Sequence, residues 1–269
     1  MPNILDQILE TKRKEVRQLL ESHSLEELRE RALQAPPARN FFAAVTKKPL
    51  RRVNLIAEVK KASPSAGVIR EDFDPVAIAR QYAAAGADAL SVLTDEQYFQ
   101  GHLDYLRHVR AAVDLPVLRK DFIIDASQVY QSRAAGADAV LLIAAAMPGG
   151  KLLDLMILAT ELRMTVLVEV HGVYELLQVR SMIGFPHAAY SLLGINNRDL
   201  TTFKVDLGTT LRLMQLLSGP VPVVSESGIK TRRDVERLWA AGVRAILVGQ
   251  TLMQSGDVAN AIDLLLGEL

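Results

Sequence analysis

An acid and a base, Glu58 and Lys60, stand two residues apart in the stretch Asn54-Leu55-Ile56-Ala57-Glu58-Val59-Lys60-Lys61-Ala62-Ser63-Pro64-Ser65-Ala66-Gly67. The stretch starts as a short apolar run with β-branched residues, the pattern of a buried strand, and ends in the Ser, Pro and Gly of a loop. Side chains alternate along a strand, so Ile56, Glu58 and Lys60 share one face, and Leu55, Ala57 and Val59 the other. Two charges buried there are costly unless they are paired or put to use. Proton transfer is the chemistry such a pair can do.

The combination recurs further along. Lys120 closes Val117-Leu118-Arg119-Lys120, Glu169 lies near the end of Val166-Leu167-Val168-Glu169-Val170, and Glu226 ends Val223-Val224-Ser225-Glu226. Asn196 and Arg198 follow Gly194-Ile195. Nucleophilic and metal chemistry find less support. The chain has no cysteine, which excludes disulfides, thiolate nucleophiles and thiolate metal ligands. Of the five histidines only His171 adjoins a strand end, and a histidine without neighbouring ligands reads as structural, so no metal site is expected. Ser63, Ser65 and Ser225 have no histidine at a triad spacing.

Such residues must be gathered by secondary structure. Apolar strand patterns begin near Leu55, Ala89, Val117, Ala139, Val166, Ser191, Val221 and Ala245, and helical patterns follow over residues 75–85, 103–112, 126–135, 151–162, 173–180, 207–217, 232–241 and 258–266. The joints repeat: Ala85-Gly86-Ala87-Asp88-Ala89, Ala135-Gly136-Ala137-Asp138-Ala139 and Ala241-Gly242-Val243-Arg244-Ala245 each end a helix on glycine and open a strand. Regular alternation argues for a parallel sheet, and eight units without an edge strand argue for closure into a (βα)8 TIM barrel of the α/β class. An open doubly wound sheet would carry a glycine-rich turn after its first strand, and no G-x-G-x-x-G occurs.

In such a barrel the site lies at the C-terminal strand ends, and one layer of side chains comes from alternate strands. Glu58, Lys60, Lys120, Glu169 and Glu226 all fall on the first, third, fifth and seventh strands, so they can meet, with Arg198 nearby to balance the charge. Ser227-Gly228 and Gly249-Gln250, after the last two strands, place glycine where a loop turns into a helix start, the place where barrels hold phosphate on backbone N–H groups. A phosphorylated small molecule is the expected substrate.

Before the first strand, residues 4–20 carry Ile4, Leu5, Ile8, Val16, Leu19 and Leu20 among many charges, an amphipathic helix. Ser24 and Glu27 have the spacing of a capping box for a second helix. Pro36-Pro37 closes the segment, and residues 38–52 read as a linker with a short helix. The predicted division is an N-terminal helical extension, residues 1–48, packed on a single barrel, residues 49–269. Trp239 falls within a helical pattern and reads as packing. The 269 residues are 49% hydrophobic and 5% aromatic, and 31 basic residues cancel 31 acidic ones. That balance offers no field for nucleic acid or an anionic membrane. The opening Met1-Pro2-Asn3-Ile4-Leu5-Asp6 lacks the basic start and apolar run of a signal peptide, and no apolar run approaches membrane-spanning length, so a cytoplasmic protein is expected. The chain stops after the eighth helical pattern, and no fused second barrel is expected.

The motifs are also specific together. Ile56-Ala57-Glu58-Val59-Lys60-Lys61-Ala62-Ser63-Pro64-Ser65 resembles the signature of the indole-3-glycerol phosphate synthase family. The resemblance continues through Leu93-Thr94-Asp95-Glu96 with Tyr98-Phe99, Leu118-Arg119-Lys120-Asp121-Phe122-Ile123, Leu167-Val168-Glu169-Val170-His171, Gly194-Ile195-Asn196-Asn197-Arg198-Asp199-Leu200, Ser225-Glu226-Ser227-Gly228-Ile229 and Val248-Gly249-Gln250-Thr251-Leu252-Met253, in family order over roughly residues 50 to 255. The helical extension fits the family as well. The resemblance implies closure of an indole ring from 1-(o-carboxyphenylamino)-1-deoxyribulose 5-phosphate, with loss of carbon dioxide and water, in tryptophan biosynthesis. It implies Lys120 as general acid on the ketone, Glu169 as a general acid/base, and Glu58 and Lys60 as assistants. For the substrate it implies Arg198 and Ser63 at the anthranilate carboxylate, Asn196 at the hydroxylated chain, Phe99, Phe122 and Leu141 around the ring, and Ser227, Gly228, Gly249 and Gln250 at the phosphate, with Glu226 in the same pocket. No step requires a redox cofactor or metal. Which lysine serves the dehydration is left open by the sequence.

Two positions depart from the family pattern. Gln250 stands where a small or acidic residue is more common, and Ala66 where a lysine is, which bears on phosphate affinity and loop behaviour. Other phosphate-binding barrels are rivals; phosphoribosylanthranilate isomerase would be expected to use a Cys/Asp pair, and this chain has no cysteine. A catalytically dead barrel kept for ligand binding is the rival from another class, and the retention of Glu58, Lys60, Lys120 and Glu169 argues against it. The expected working unit is a monomer without cofactors.

Overall fold

A computed structural model describes residues 3–184, 187–200, 202–219 and 221–267. Met1 and Pro2, which belong to the opening read above, lie outside the described residues. Three helices come first: α1 (Ile4–Ser22), α2 (Leu25–Gln34) and α3 (Phe41–Thr46). The strands are β1 (Asn54–Val59), β2 (Ala62–Ser63), β3 (Gly67–Val68), β4 (Ala89–Leu93), β5 (Val117–Lys120), β6 (Ala139–Ile143), β7 (Thr165–Val170), β8 (Ser191–Asn196), β9 (Val223–Glu226) and β10 (Ala245–Val248). Around and between them run α4 (Pro75–Ala84), α5 (Glu96–Phe99), α6 (Leu103–Ala112), α7 (Ala126–Ala134), α8 (Gly149–Glu161), α9 (Val173–Val179), α10 (Gly208–Met214), α11 (Arg232–Ala240), α12 (Gln250–Met253) and α13 (Val258–Leu266).

β1 and β4 to β10 close into an eight-stranded parallel barrel. β1 closes it, pairing Asn54 with Ala245 on one side and Ile56 with Ala89 on the other. The barrel strands are buried on both faces, as their near-continuous Val, Ile, Leu and Ala content requires; only Lys120, at the end of β5, is partly exposed. The repeated joints do what their composition predicts. Gly86, Gly136 and Gly242 take the left-handed conformation. The aspartates that follow two of them, Asp88 and Asp138, accept the backbone N–H of Leu55 and Val117 at 2.8 Å, tying each joint to the start of the preceding strand.

Several expectations shift. β9 starts at Val223 rather than Val221, because Pro222 has no N–H to give the ladder and contributes only its carbonyl, to Leu193. α8 starts at Gly149 rather than Lys151. α10 stops at Met214, and residues to Leu217 continue with bonds from residue i+3 to i. Ser24 accepts the Glu27 N–H, but the Glu27 carboxylate turns to Arg31, so only half of the capping box forms. Trp239 is 44% exposed, with the Arg52 and Arg244 guanidinium groups 5.7 and 6.0 Å from its ring. α1 buries Leu5, Ile8, Leu9 and Lys12, while Leu20 faces solvent. α2 packs along α7, and α3 packs on β1, where Phe41 and Val45 are buried. Among the described residues no helix is long and apolar enough to cross a membrane.

Candidate active site

The C-terminal ends of the strands open into a cavity of about 450 Å³. From β1, Glu58 and the following Lys60 project into it as an ion pair, Nζ to Oε2 2.5 Å. Across the barrel, Lys120 from β5 bridges Glu169 of β7 at 3.0 Å and Glu226 of β9 at 2.9 Å. Space for these carboxylates is made by missing side chains. A Cβ on Gly194 would lie 2.4 Å from Glu226 Oε1, and one on Gly249 would lie 2.2 Å from Glu58 Oε2, closer than atoms can pack.

Burial alone would discharge this cluster; its own charges prevent that. Burial pushes the Lys120 ammonium down, but Glu169, Glu226 and Glu58 together push it well above the usual lysine range. Glu169 is pushed up by burial and pulled further down by Lys120 and His171, so it stays ionised. Glu226 is left with the excess: burial and the neighbouring Glu169 and Glu58 outweigh Lys120, and its carboxyl rises to about 7.

One wall is apolar. Phe99 and Phe122 stand with ring centroids 6.1 Å apart at 37°, and Leu141 lies in the same lining. Ile4, Leu5 and Ile8 of α1 complete this wall. Phe99 ends α5, whose N-terminus is held by Asp95 accepting the Tyr98 and Phe99 N–H groups. Asp95 is in turn bound by Lys12 of α1 at 2.8 Å, and the same ammonium reaches Asp121 at 2.9 Å and Glu15 at 2.8 Å. Asp121, next in sequence to Lys120, is driven up by burial, yet Lys12 and Arg119 hold it well below the usual carboxylate range. The buried Lys12 therefore fastens α1 to two strand ends of the site.

The remaining two sides are polar. The loop after β1 folds into the β2–β3 hairpin, where the loop Ser63-Pro64-Ser65 was expected, and Ser63 faces the cavity while Ser65 accepts from Arg198 Nη1 at 2.9 Å. Burial lowers the half-buried Arg198 guanidinium, with Glu58 opposing. Asn196 caps the Arg198 N–H at 3.0 Å. At the far end Ser227 and Gly228 are both left-handed, with φ of 63° and 76°, and Gly249 starts α12 without a side-chain cap. Thr251 ties the two loops by donating to the Ile229 carbonyl at 2.8 Å. Gln250 and Lys230 stand on the same lining, a setting for an anion.

Every residue that the sequence assigned to catalysis or substrate binding thus lines one cavity. Those it missed are Ile4, Leu5 and Ile8, whose helix reads only as amphipathic; Lys230, one lysine after a glycine loop; Gly194, a glycine inside a strand, which is itself a sign of close approach; and Lys12, whose partners are far away in sequence. His171, read as structural, sits 3.2 Å from Glu169. Among the described residues no group of His, Asp and Glu side chains could hold a metal ion.

The model of the family described as indole-3-glycerol phosphate synthase matches residues 5–265. A protein named indole-3-glycerol phosphate synthase from Neisseria gonorrhoeae is 50% identical over 265 residues, covering 97% of this chain and 98% of the relative. One of the same name from Geobacillus kaustophilus is 49% identical, covering 98% of this chain and 97% of the relative. In shape the chain is similar to 3-hexulose-6-phosphate synthase from Salmonella typhimurium, with a TM-score of 0.62 at 15% identity over 79% of this chain and 96% of that one. That likeness speaks for the barrel fold alone.

Proposed function

The chain belongs to the indole-3-glycerol phosphate synthase family, and from that premise we propose how its residues divide the work. It is a carboxy-lyase of tryptophan biosynthesis, closing the indole ring of 1-(o-carboxyphenylamino)-1-deoxyribulose 5-phosphate with release of carbon dioxide and water. The aromatic ring lies against Phe99, Phe122 and Leu141, with its carboxylate toward Arg198 and Ser63. The phosphate lies on the turn of Ser227 and Gly228 and on the start of α12 at Gly249 and Gln250, with Lys230 as counter-charge. Asn196 takes a hydroxyl of the chain between. Held at both anionic ends, the substrate has its carboxylate-bearing ring carbon brought against the ketone.

Attack of that carbon turns the ketone oxygen into an alkoxide, and Lys120 supplies the proton. An ammonium held charged by its carboxylates is a weak acid toward a neutral ketone and a well-matched one toward an alkoxide, so its effect is greatest in the transition state. Loss of carbon dioxide restores the aromatic ring. The nitrogen lone pair then drives out hydroxide, which needs an acid, and the methylene carbon beside nitrogen gives up a proton, which needs a base. Lys60, ion-paired with Glu58, is the acid, because Lys120 has already given its proton away. Glu169, kept ionised, is the base. The working unit in this reading is a cytoplasmic monomer of an extension and a barrel, and no step calls on a cofactor.

The observation that supports this most is the single ammonium of Lys120 held between Glu169 and Glu226 beside the aromatic wall. Lys120→Met should lower kcat by about a thousandfold or more, while substrate binding followed by fluorescence stays within about threefold. Equal loss of binding and rate would make Lys120 a binding group. A wild-type chain that forms no indole product would sink the whole assignment.

A further inference from the structure

His171 takes no part in the scheme above and does not line the cavity, yet its ring nitrogens are buried directly against the base. Its Nε2 lies 3.2 Å from Glu169 Oε1, and its Nδ1 lies 3.4 Å from Glu175 Oε2. Each ring nitrogen thus faces one carboxylate oxygen at charge-pair distance. Glu175 stands in the first turn of α9 and also accepts the backbone N–H of His171, which locks the ring's own backbone to that carboxylate. The Gly172 N-cap of α9 offers no side chain for this purpose. The two oxygens of Glu169 are therefore held by different cations, Oε2 by Lys120 and Oε1 by His171. Among the described elements beside it, the turn Ala144–Ala146, which packs on β7 and α9, brings only alanine, and neighbouring β8 ends in the neutral Asn196.

We propose that His171 is a positioning residue for Glu169, an imidazolium anchored by Glu175 that fixes the plane of the catalytic carboxylate and keeps it ionised while Lys120 is without its proton. The proposal rests on the assignment of Glu169 as the base. Its physical content lies in timing. When the ketone oxygen takes the Lys120 proton, Glu169 loses one of its two cations, and a buried carboxylate with no cation takes up a proton. His171 is the cation that stays. Burial pushes the imidazole down, but Glu169 and Glu175 push it up to about 10, so it is charged throughout the neutral range. No proton needs to pass through it.

The test uses the full chain, with kcat and KM followed from pH 5.5 to 10 and the His171 ring titrated by NMR. His171→Gln should lower kcat by about tenfold or more, leave KM within about threefold, and bring an acid limb of kcat up into this range that the wild type does not show, as Glu169 loses its cation. Glu175→Gln keeps an oxygen for the backbone N–H but removes the charge. There the imidazole titration should fall from about 10 toward the ordinary value of 6.5, and the alkaline limb of kcat should fall with it. A His171→Gln profile lowered evenly with unmoved limbs, or a Glu175→Gln variant whose imidazole and rate profile match the wild type, would overturn the proposal. Should His171→Gln fail to fold, the Glu175→Gln arm decides alone. A wild-type chain without turnover would instead strike the functional assignment, and the NMR titration would still decide whether the ion pairs exist.

Discussion

Glu226 carries the strain of a site in which three carboxylates face two lysines. Among the described residues its Oε1 has no hydrogen-bond partner, and its carboxyl is raised to about 7 from an ordinary 4.5. A carboxyl raised on folding favours the native state while both states hold the proton and loses that advantage as pH climbs through the folded value. Glu226→Gln cannot ionise. It should therefore gain stability over the wild type as pH rises from about 4.5 to about 7, by roughly 1–3 kcal/mol, with no further gain above; thermal melts at pH 4.5, 6 and 8 check this, and a flat difference would refute it. Gly249→Ala should leave the melting temperature nearly unchanged but cut kcat, since the added carbon displaces the Glu58 carboxylate rather than the backbone; unaltered kcat would count against Glu58 as a working group. Charges at this scale were legible in the sequence because a charge on an apolar strand has little other purpose. The glycines were only half legible. Gly249 reads as a turn, and its close approach to Glu58 depends on a side chain nearly two hundred positions away.

At the scale of elements, α1 is more than a cover. Lys12 is 1% exposed and paired with Asp95 and Asp121, so Lys12→Met leaves Asp95 buried without its cation and Asp121 with Arg119 alone. The variant should lose about 3–5 kcal/mol of stability and raise KM, because Asp95 holds the end of α5 that carries Phe99; denaturant unfolding and steady-state kinetics test both. Unchanged KM in a folded variant would uncouple α1 from the aromatic wall. The helix itself was legible from its 3.6-residue pattern, but nothing in that pattern sets Lys12 apart from the other charges. A lone lysine among many looks the same whether it meets water or two aspartates. α5, α12 and the β2–β3 hairpin were missed for a simpler reason: two to four residues are too few to show a period.

Over the whole molecule, the barrel was legible because eight apolar runs alternate with helices and none reads as an edge. The extension was less clearly divided. Its first two helices lie over the site and along α7, whereas Phe41 and Val45 of α3 are buried against β1, and the Asn54 side chain donates to the Val45 and Lys47 carbonyls at 2.9 Å. Removing residues 1–35 should therefore leave a barrel that still melts cooperatively but has KM raised by about tenfold or more, each buried apolar side chain lost from the wall being worth about 1.5–3 kcal/mol. A collapse of the melt with unchanged KM would reverse that order. The closing pair of the barrel has a further consequence, in time rather than in space. β1 is made before the six strands that separate it from its partner β10, so a chain growing on the ribosome carries an unpaired, largely apolar strand edge while all of them are added. At about 5–20 residues per second, that edge stays open for many seconds. The same wait applies to the site, since Glu58 has no neighbouring Gly249 until the final strand arrives. Catalysis can begin only once both strands of the closing pair have been made.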